Sequence, residues 1–228
     1  MSNLSYTQQY FICIVNEKGN IPTLKGVGVA ACLVMSEITE LVNGGYVIWD
    51  EENKLSAVKP LDDNLMYLKP LYEAIACKKS EEVIRIVDLY ASNMRLPGNY
   101  PKASLNDLLS PIGNSLLSEG WVNELPKKGL LSKETKYAPK PESVTHIIEE
   151  IRGAFLEDNV IADEMLCLVN LLDKSDIISN YFSRNEETLL KKNMQKARKD
   201  VGDPSTKKML NSIDEVPKMV SGLDWGGV

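Results

Sequence analysis

Twice in this chain a helical run stops at glycine and passes straight into a β-hairpin pattern. In the first unit, Cys32 to Val42 leads through Asn43-Gly44-Gly45 into two short runs, Tyr46 to Trp49 and Lys54 to Val58. Asp50-Glu-Glu-Asn53 forms the turn between them. In the second unit, Leu105 to Leu117 leads through Gly120 into Trp121-Val122, with a return near Leu130-Leu131. Glycine suits a left-handed helix C-cap because it has no Cβ to clash. The pattern predicts a helical scaffold that carries small β-hairpins.

The rest of the chain supplies that scaffold. Tyr10 to Val15 is short and apolar, and its length fits helix or strand. Ser5 with Gln8 three residues on resembles a capping box, which favours a short helix through Val15. Gly26 to Val42 reads as a helix whose small residues permit close packing. Asp62 to Cys77 reads as a helix broken or kinked at Pro70. Ser80-Glu-Glu-Val begins another, with a serine cap and an acidic first turn, running to about Met94 and ended by Pro97-Gly98-Asn99. Ser143 to Phe155 is amphipathic, and Ala162 to Leu172 is apolar enough to be the central core helix. Asp176 to Phe182 and Glu186 to Asp200 complete the set. The fold class expected is mainly α, a single helical domain over residues 1–200 with small β-hairpins. Residues 201–228, rich in Gly, Pro, Ser and charge, read as a mobile C-terminal tail, with one docked segment left open. A chain of 228 residues suits one domain or two small ones.

Charge and chemistry narrow the function. The net charge is −6, which disfavours a broad duplex DNA face. Cys13, Cys32, Cys77 and Cys167 form no CxxC pair and sit in apolar settings, so buried reduced thiols are expected. The start lacks a basic n-region and an apolar h-region. The longest apolar stretch, Val27 to Met35, is short of the roughly 20 residues that span a bilayer. A cytoplasmic protein with at most peripheral membrane contact is expected. His146 is the one histidine, so Cys/His zinc sites and HExxH are excluded, and no GxSxG elbow accompanies it. Lys25-Gly-Val-Gly28 has two glycines but no Walker lysine-serine pair, and the paired acids read as solvated helix faces. No catalytic residue, metal or cofactor is assigned.

The second hairpin is basic in an acidic chain. Lys127, Lys128, Lys133, Lys136 and Lys140 stand against Glu134 alone, with Trp121, Leu130, Leu131 and Tyr137 among them. Two readings stay open. Lysines with an aromatic and a Leu pair suit an anionic membrane surface, where each basic residue is worth about 1 kcal/mol. Alternatively, the lysines protect a ribbon edge from pairing and Trp121 belongs to the core. A second basic run, Lys191, Lys192, Lys196, Arg198 and Lys199, is interrupted by acids and reads as a solvated face.

The ordered set of these motifs resembles the Golgi phosphoprotein 3 family in its bacterial form. The capped opening from Leu4 to Gly19 is similar to the family's first helix and turn. Glu40-Leu-Val-Asn-Gly-Gly45-Tyr-Val47 matches the frame that ends its apolar helix. Leu116-Leu-Ser-Glu-Gly-Trp-Val122 resembles the entry to its hairpin, and Asp163 to Leu172 its Leu-rich helix. The resemblance spans about Leu4 to Asp200. It implies a peripheral membrane adaptor that binds phosphatidylinositol 4-phosphate through a tryptophan and several arginines. Here the tryptophan position falls near Lys25, one arginine near Val34 and two near Asn106 and Leu109, so those pocket residues are not retained.

The function expected is therefore a peripheral membrane-associated binding or adaptor protein on the inner membrane face, and not an enzyme. Its candidate lipid- or anion-binding residues are Lys25, Trp121, Lys127, Lys128, Leu130, Leu131, Lys133 and Lys136. Partners implied are anionic lipid headgroups (a phosphoinositide by resemblance), protein tails, and a second copy through the second hairpin, with no nucleic acid. Two alternatives stand beside it. One is a winged-helix-like nucleic-acid binder, although Leu105 to Glu119 carries no Lys or Arg. The other is an unrecognised enzyme on a helical scaffold.

Overall fold

A computed structural model describes residues 4–22, 26–91, 104–126, 135–157 and 161–222. Within them the chain is mainly helical, with two small antiparallel sheets. Helix α1 (Tyr6–Ile14) opens on the capping box expected from Ser5 and Gln8, and both of its reciprocal hydrogen bonds are made. Helix α2 (Gly26–Asn43) runs through the middle of the molecule, with α1, α4 (Val83–Ala91), α7 (Asp163–Lys174) and α9 (Pro204–Gly222) packed around it. By length and composition α2 could cross a membrane, yet most of it lies buried inside the fold. Its buried hydroxyls are satisfied locally: Ser36 donates to Leu33 O and Thr39 to Met35 O, each at 2.7 Å.

The helix-to-hairpin joints form by the same capping geometry at both sites. After α2, the Gly45 N–H donates to Val42 O and the Tyr46 N–H to Leu41 O. After α5 (Leu105–Ser118), the Gly120 N–H donates to Leu117 O and the Trp121 N–H to Leu116 O. This paired arrangement needs a left-handed residue, and Gly45 and Gly120 take φ of 69° and 82°. The first joint feeds β1 (Val47–Trp49), which pairs with β2 (Lys54–Ala57) in the register Val47↔Ala57, Ile48↔Ser56, Trp49↔Leu55. The second feeds β4 (Val122–Leu125), paired with β5 (Lys136–Pro139) from Val122↔Pro139 to Leu125↔Lys136. α6 (Pro141–Leu156) follows at once, with Pro141 in its first turn, where a missing N–H costs nothing.

Several sequence expectations change. Residues 63–68 form a 3-10 turn, and Pro70 starts α3 (Lys69–Ala76) rather than breaking a longer helix. Glu81 and Glu82, read as a helix's acidic first turn, form β3 (Glu81–Glu82) on the open edge of β2. Glu81 is buried there and meets Lys78 Nζ at 2.9 Å. The end expected near Met94 lies outside the described residues. Gly26 and Gly28 do not serve close packing, since a Cβ at either would meet nothing within 4 Å. Of the four cysteines, Cys77 is exposed. α7 is a core helix, but the centre belongs to α2, eighteen residues long with twelve of them buried.

The largest change is at the C-terminal end. Residues 204–222, read by composition as tail, form α9, which seats Met209, Leu210, Ile213 and Val216 in the core against α2 and α7. Its spacing of apolar residues is helical, and the surrounding polar residues masked it. Arg198 of α8 (Arg184–Asp200) makes a forked pair with Asp214, and Lys208 Nζ donates to Trp49 O at 2.9 Å. The basic run on α8 is thus partly tied down, with Lys191 also held by Asp173 at 2.9 Å. Truncating Ile213 to Ala should destabilise the fold by about 2–5 kcal/mol, because it empties a fully buried site. Urea unfolding would check this, and a loss below about 0.5 kcal/mol would mean α9 is not part of the cooperative core.

Candidate functional site

The second hairpin does not stand alone. Its return strand β5 packs on α5, and the turn after α1 packs on β5, which leaves a cleft of about 420 Å³ among the three. One wall is Asn16 to Pro22, one is Leu105, Asn106, Leu109 and Ser110 on the first turns of α5, and the third is Thr135, Lys136 and Tyr137. Phe11 and Val15 from the end of α1 also line it.

Each wall is held by identifiable contacts. The first is a closed turn, in which Asn16 Oδ1 accepts from the Lys18 and Asn20 amides at 2.9 and 3.1 Å. Gly19 in this turn lies so close to β5 that a Cβ would stand 2.9 Å from Lys136 Cβ. Lys136 Nζ donates to Asn20 Oδ1, which ties the hairpin to the turn. α5 is joined to α1 by Gln8 Nε2, which donates to Ser115 Oγ at 3.1 Å. It is joined to β5 by the Tyr137 hydroxyl, which donates to Asn114 Oδ1. Burial, and after it the charge of Glu124, raises the pKa of that phenol, so Tyr137 acts as a neutral donor. Gly113 makes the approach possible, since a Cβ there would fall inside the Tyr137 ring.

Electrostatically the cleft has one sign. Among the described residues Lys136 is the one charged side chain lining it, accompanied by the amides of Asn16, Asn20 and Asn106 and the hydroxyls of Ser110 and Thr135. Such a lining offers hydrogen-bond donors and one ammonium to an anionic or strongly polar group. Among the described residues it offers no nucleophile–base pair. Burial pushes the Cys13, Cys32 and Cys167 thiols up to about 12, so their thiolates are scarce near neutral pH. Among the described residues no three His, Cys, Asp or Glu side chains converge as a metal site.

The residues singled out from sequence fall in different places. Lys136 lines the cleft. Trp121 does not. It sits partly buried at the hairpin root, 5.8 Å from the His146 ring, with its carbonyl accepting from Ser143 Oγ at 2.8 Å and the Lys140 N–H at 3.2 Å. Lys25, Lys127, Lys128, Leu130, Leu131 and Lys133 lie outside the described residues. Of the positions matched to the family's pocket cations, Asn106 and Leu109 line the cleft, while Val34 is fully buried in α2. The Asn16 to Pro22 wall was read only as a turn. Its Asn-Glu-Lys-Gly-Asn composition signals a turn but nothing of what it packs against.

The sequence profile of the Golgi phosphoprotein 3 (GPP34) family matches residues 7–213, from α1 into α9. The chain belongs to that family. No curated protein matches it. The Golgi phosphoprotein 3 match runs beyond Asp200 and takes in the buried Met209, Leu210 and Ile213 of α9. It covers the elements that build all three walls of the cleft.

The Gly113–Tyr137 contact gives a test of how the cleft is assembled. Gly113→Ala adds helix propensity worth about 1 kcal/mol. It should nevertheless lower stability by about 1–3 kcal/mol, since the Tyr137 ring has to move. Thermal unfolding would register that loss, and a stabilised Ala variant would show that β5 does not bear on α5.

Proposed function

We propose that this protein is a peripheral membrane-associated binding protein of the adaptor kind, which meets anionic headgroups through the cleft and the basic hairpin beside it. The observation that carries the reading is the sign of the cleft: Lys136 together with donor amides and hydroxyls, and no carboxylate among the described residues that line it, in a chain whose net charge is −6. The hairpin rooted there carries Lys127, Lys128, Lys133 and Lys140 against Glu134 in its sequence, a net positive segment of an acidic chain. Membership of the Golgi phosphoprotein 3 family supports the same reading. The role is binding rather than catalysis, and its place is the cytoplasmic face of a membrane.

The chemistry of the lining also sets the specificity. A phosphomonoester is best held by several cations or a forked guanidinium. Asn106 and Leu109 occupy α5 positions where the family resemblance placed arginines. One ammonium with neutral amides favours anionic lipid in general over a phosphoinositide in particular.

Vesicle sedimentation tests both parts. Binding to vesicles containing phosphatidylserine or phosphatidylglycerol is expected, with little gain when phosphatidylinositol 4-phosphate replaces them at equal charge. Lys127→Ala with Lys128→Ala should cost about 2 kcal/mol, or about thirtyfold in affinity. Equal binding to neutral phosphatidylcholine vesicles, untouched by the double substitution, would overturn the proposal.

A further inference from the structure

α2 carries two acids one turn apart, Glu37 and Glu40, in the middle of an apolar core. Glu37 is fully buried, and neither of its carboxylate oxygens has a hydrogen-bond partner. Glu40 accepts from the Tyr67 hydroxyl, which also lies 3.2 Å from Ser5 Oγ at the cap of α1. No ion pair among the described residues engages either acid. A lone carboxylate in such a place is costly enough that the group takes a proton instead. Burial first, and then the Glu40 charge, push the Glu37 carboxyl well above the usual carboxylate range. Burial also raises Glu40, opposed by the Thr7, Tyr67 and Ser5 hydroxyls near it.

The groups around the pair do not replace the missing cation. Tyr6 of α1, Tyr67 of the 3-10 turn and Tyr90 of α4 face it, and burial raises the pKa of all three phenols. Beyond Tyr90 stand Asp107 of α5 and Glu73 of α3, which add negative character. On α4, Arg85 faces Glu81 and Glu82, and Asp88 is buried. Cys167 of α7 lies by Tyr6, and α7 otherwise meets α2 at Cys32, beside Lys174 and Asp173. On α9, Asp214 is paired with Arg198 and Lys174, Lys208 is held by the Trp49 carbonyl, and Lys207, Glu215 and Lys218 are exposed. β1 brings no titratable side chain.

We propose that Glu37 is a proton-held latch: as the neutral acid it lets α2 close on α1 and α4, and its ionisation opens that junction. The junction supports the cleft from behind. α1 runs into the Asn16 to Pro22 wall, and the turn that carries Tyr67 packs on α5. The sign follows from linkage. The folded state keeps this proton to higher pH than the unfolded chain does, so the stability contribution is complete below the ordinary glutamate value. It is lost as pH rises towards the folded-state value. Over that window one such group multiplies the unfolding constant about tenfold per pH unit.

The test compares the wild-type chain with Glu37→Gln in urea unfolding from about pH 5 to about pH 9. The two unfolding constants should draw apart with rising pH, by up to about tenfold per unit, with the Gln variant gaining. Parallel curves overturn the latch, even if Gln is less stable at every pH. Hydrogen exchange at both ends of the range, corrected for intrinsic rates, should show α1 and α4 amides losing protection in the wild type alone. Equal loss in both proteins also overturns it. Should Glu37→Gln fail to fold, infrared spectra of the Glu40→Gln protein decide. A carboxylic-acid carbonyl band that persists at neutral pH and shifts in D₂O supports the latch, and its absence rejects it.

Discussion

At Gly45 and again at Gly120 the backbone has to turn left-handed for a helix to hand its chain to a strand. Everything around the cleft depends on that turn. In each case two amides beyond the helix reach back to carbonyls of its last turn, so the exit direction of the ribbon is fixed relative to the helix axis. The first turn sends β1 and β2 towards α3 and α9, and the second sends β4 outward and brings β5 back across α5. An L-residue at either glycine position would strain the cap.

The cleft follows from that placement. β5 can lie on α5 because Gly113 leaves room for Tyr137, and the turn after α1 then closes the third side through Gly19. The turn after α1 lies far along the chain from the other two walls, and single polar contacts such as Gln8 to Ser115 and Lys136 to Asn20 tie the three together. A binding surface built that way can change its polarity without disturbing the core. The residues that line it are mostly partly exposed, whereas those that hold α1, α2 and α7 together are fully buried.

Much of the scaffold was readable before the structure. Helix existence and hairpin placement follow local rules, namely the Ser5 and Gln8 cap, the glycine stops, and the short runs from Val47 and Leu55 on either side of an Asp-Glu-Glu-Asn turn. Two things were not readable. Glu81 and Glu82 look like a helix start, but pairing with Lys54 and Leu55 across a long sequence gap takes them into a strand. α9 reads as tail because Gly, Pro and Ser surround it, and only the groove between α2 and α7 reveals that Met209, Leu210, Ile213 and Val216 share one face. The cleft was half visible. Lys136, Asn106 and Leu109 were singled out, but the Asn16 to Pro22 wall depends on tertiary contact, which no local pattern records. Trp121 drew attention as an aromatic among lysines, and the structure seats it at the hairpin root beside His146.

The tie between Lys208 and β1 also bears on how the chain is made. The ammonium sits on the Trp49 and Asp50 carbonyls and over the Trp49 ring, 5.1 Å from its centroid, which blocks the free side of that strand. Synthesis at about 5–20 residues per second delivers α9 many seconds after β1 has emerged. During that interval the nascent polypeptide shows a bare strand margin and an empty apolar furrow at once. Chaperone capture at the ribosome would be concentrated there, and would end when the ninth helix clears the exit tunnel and closes both together.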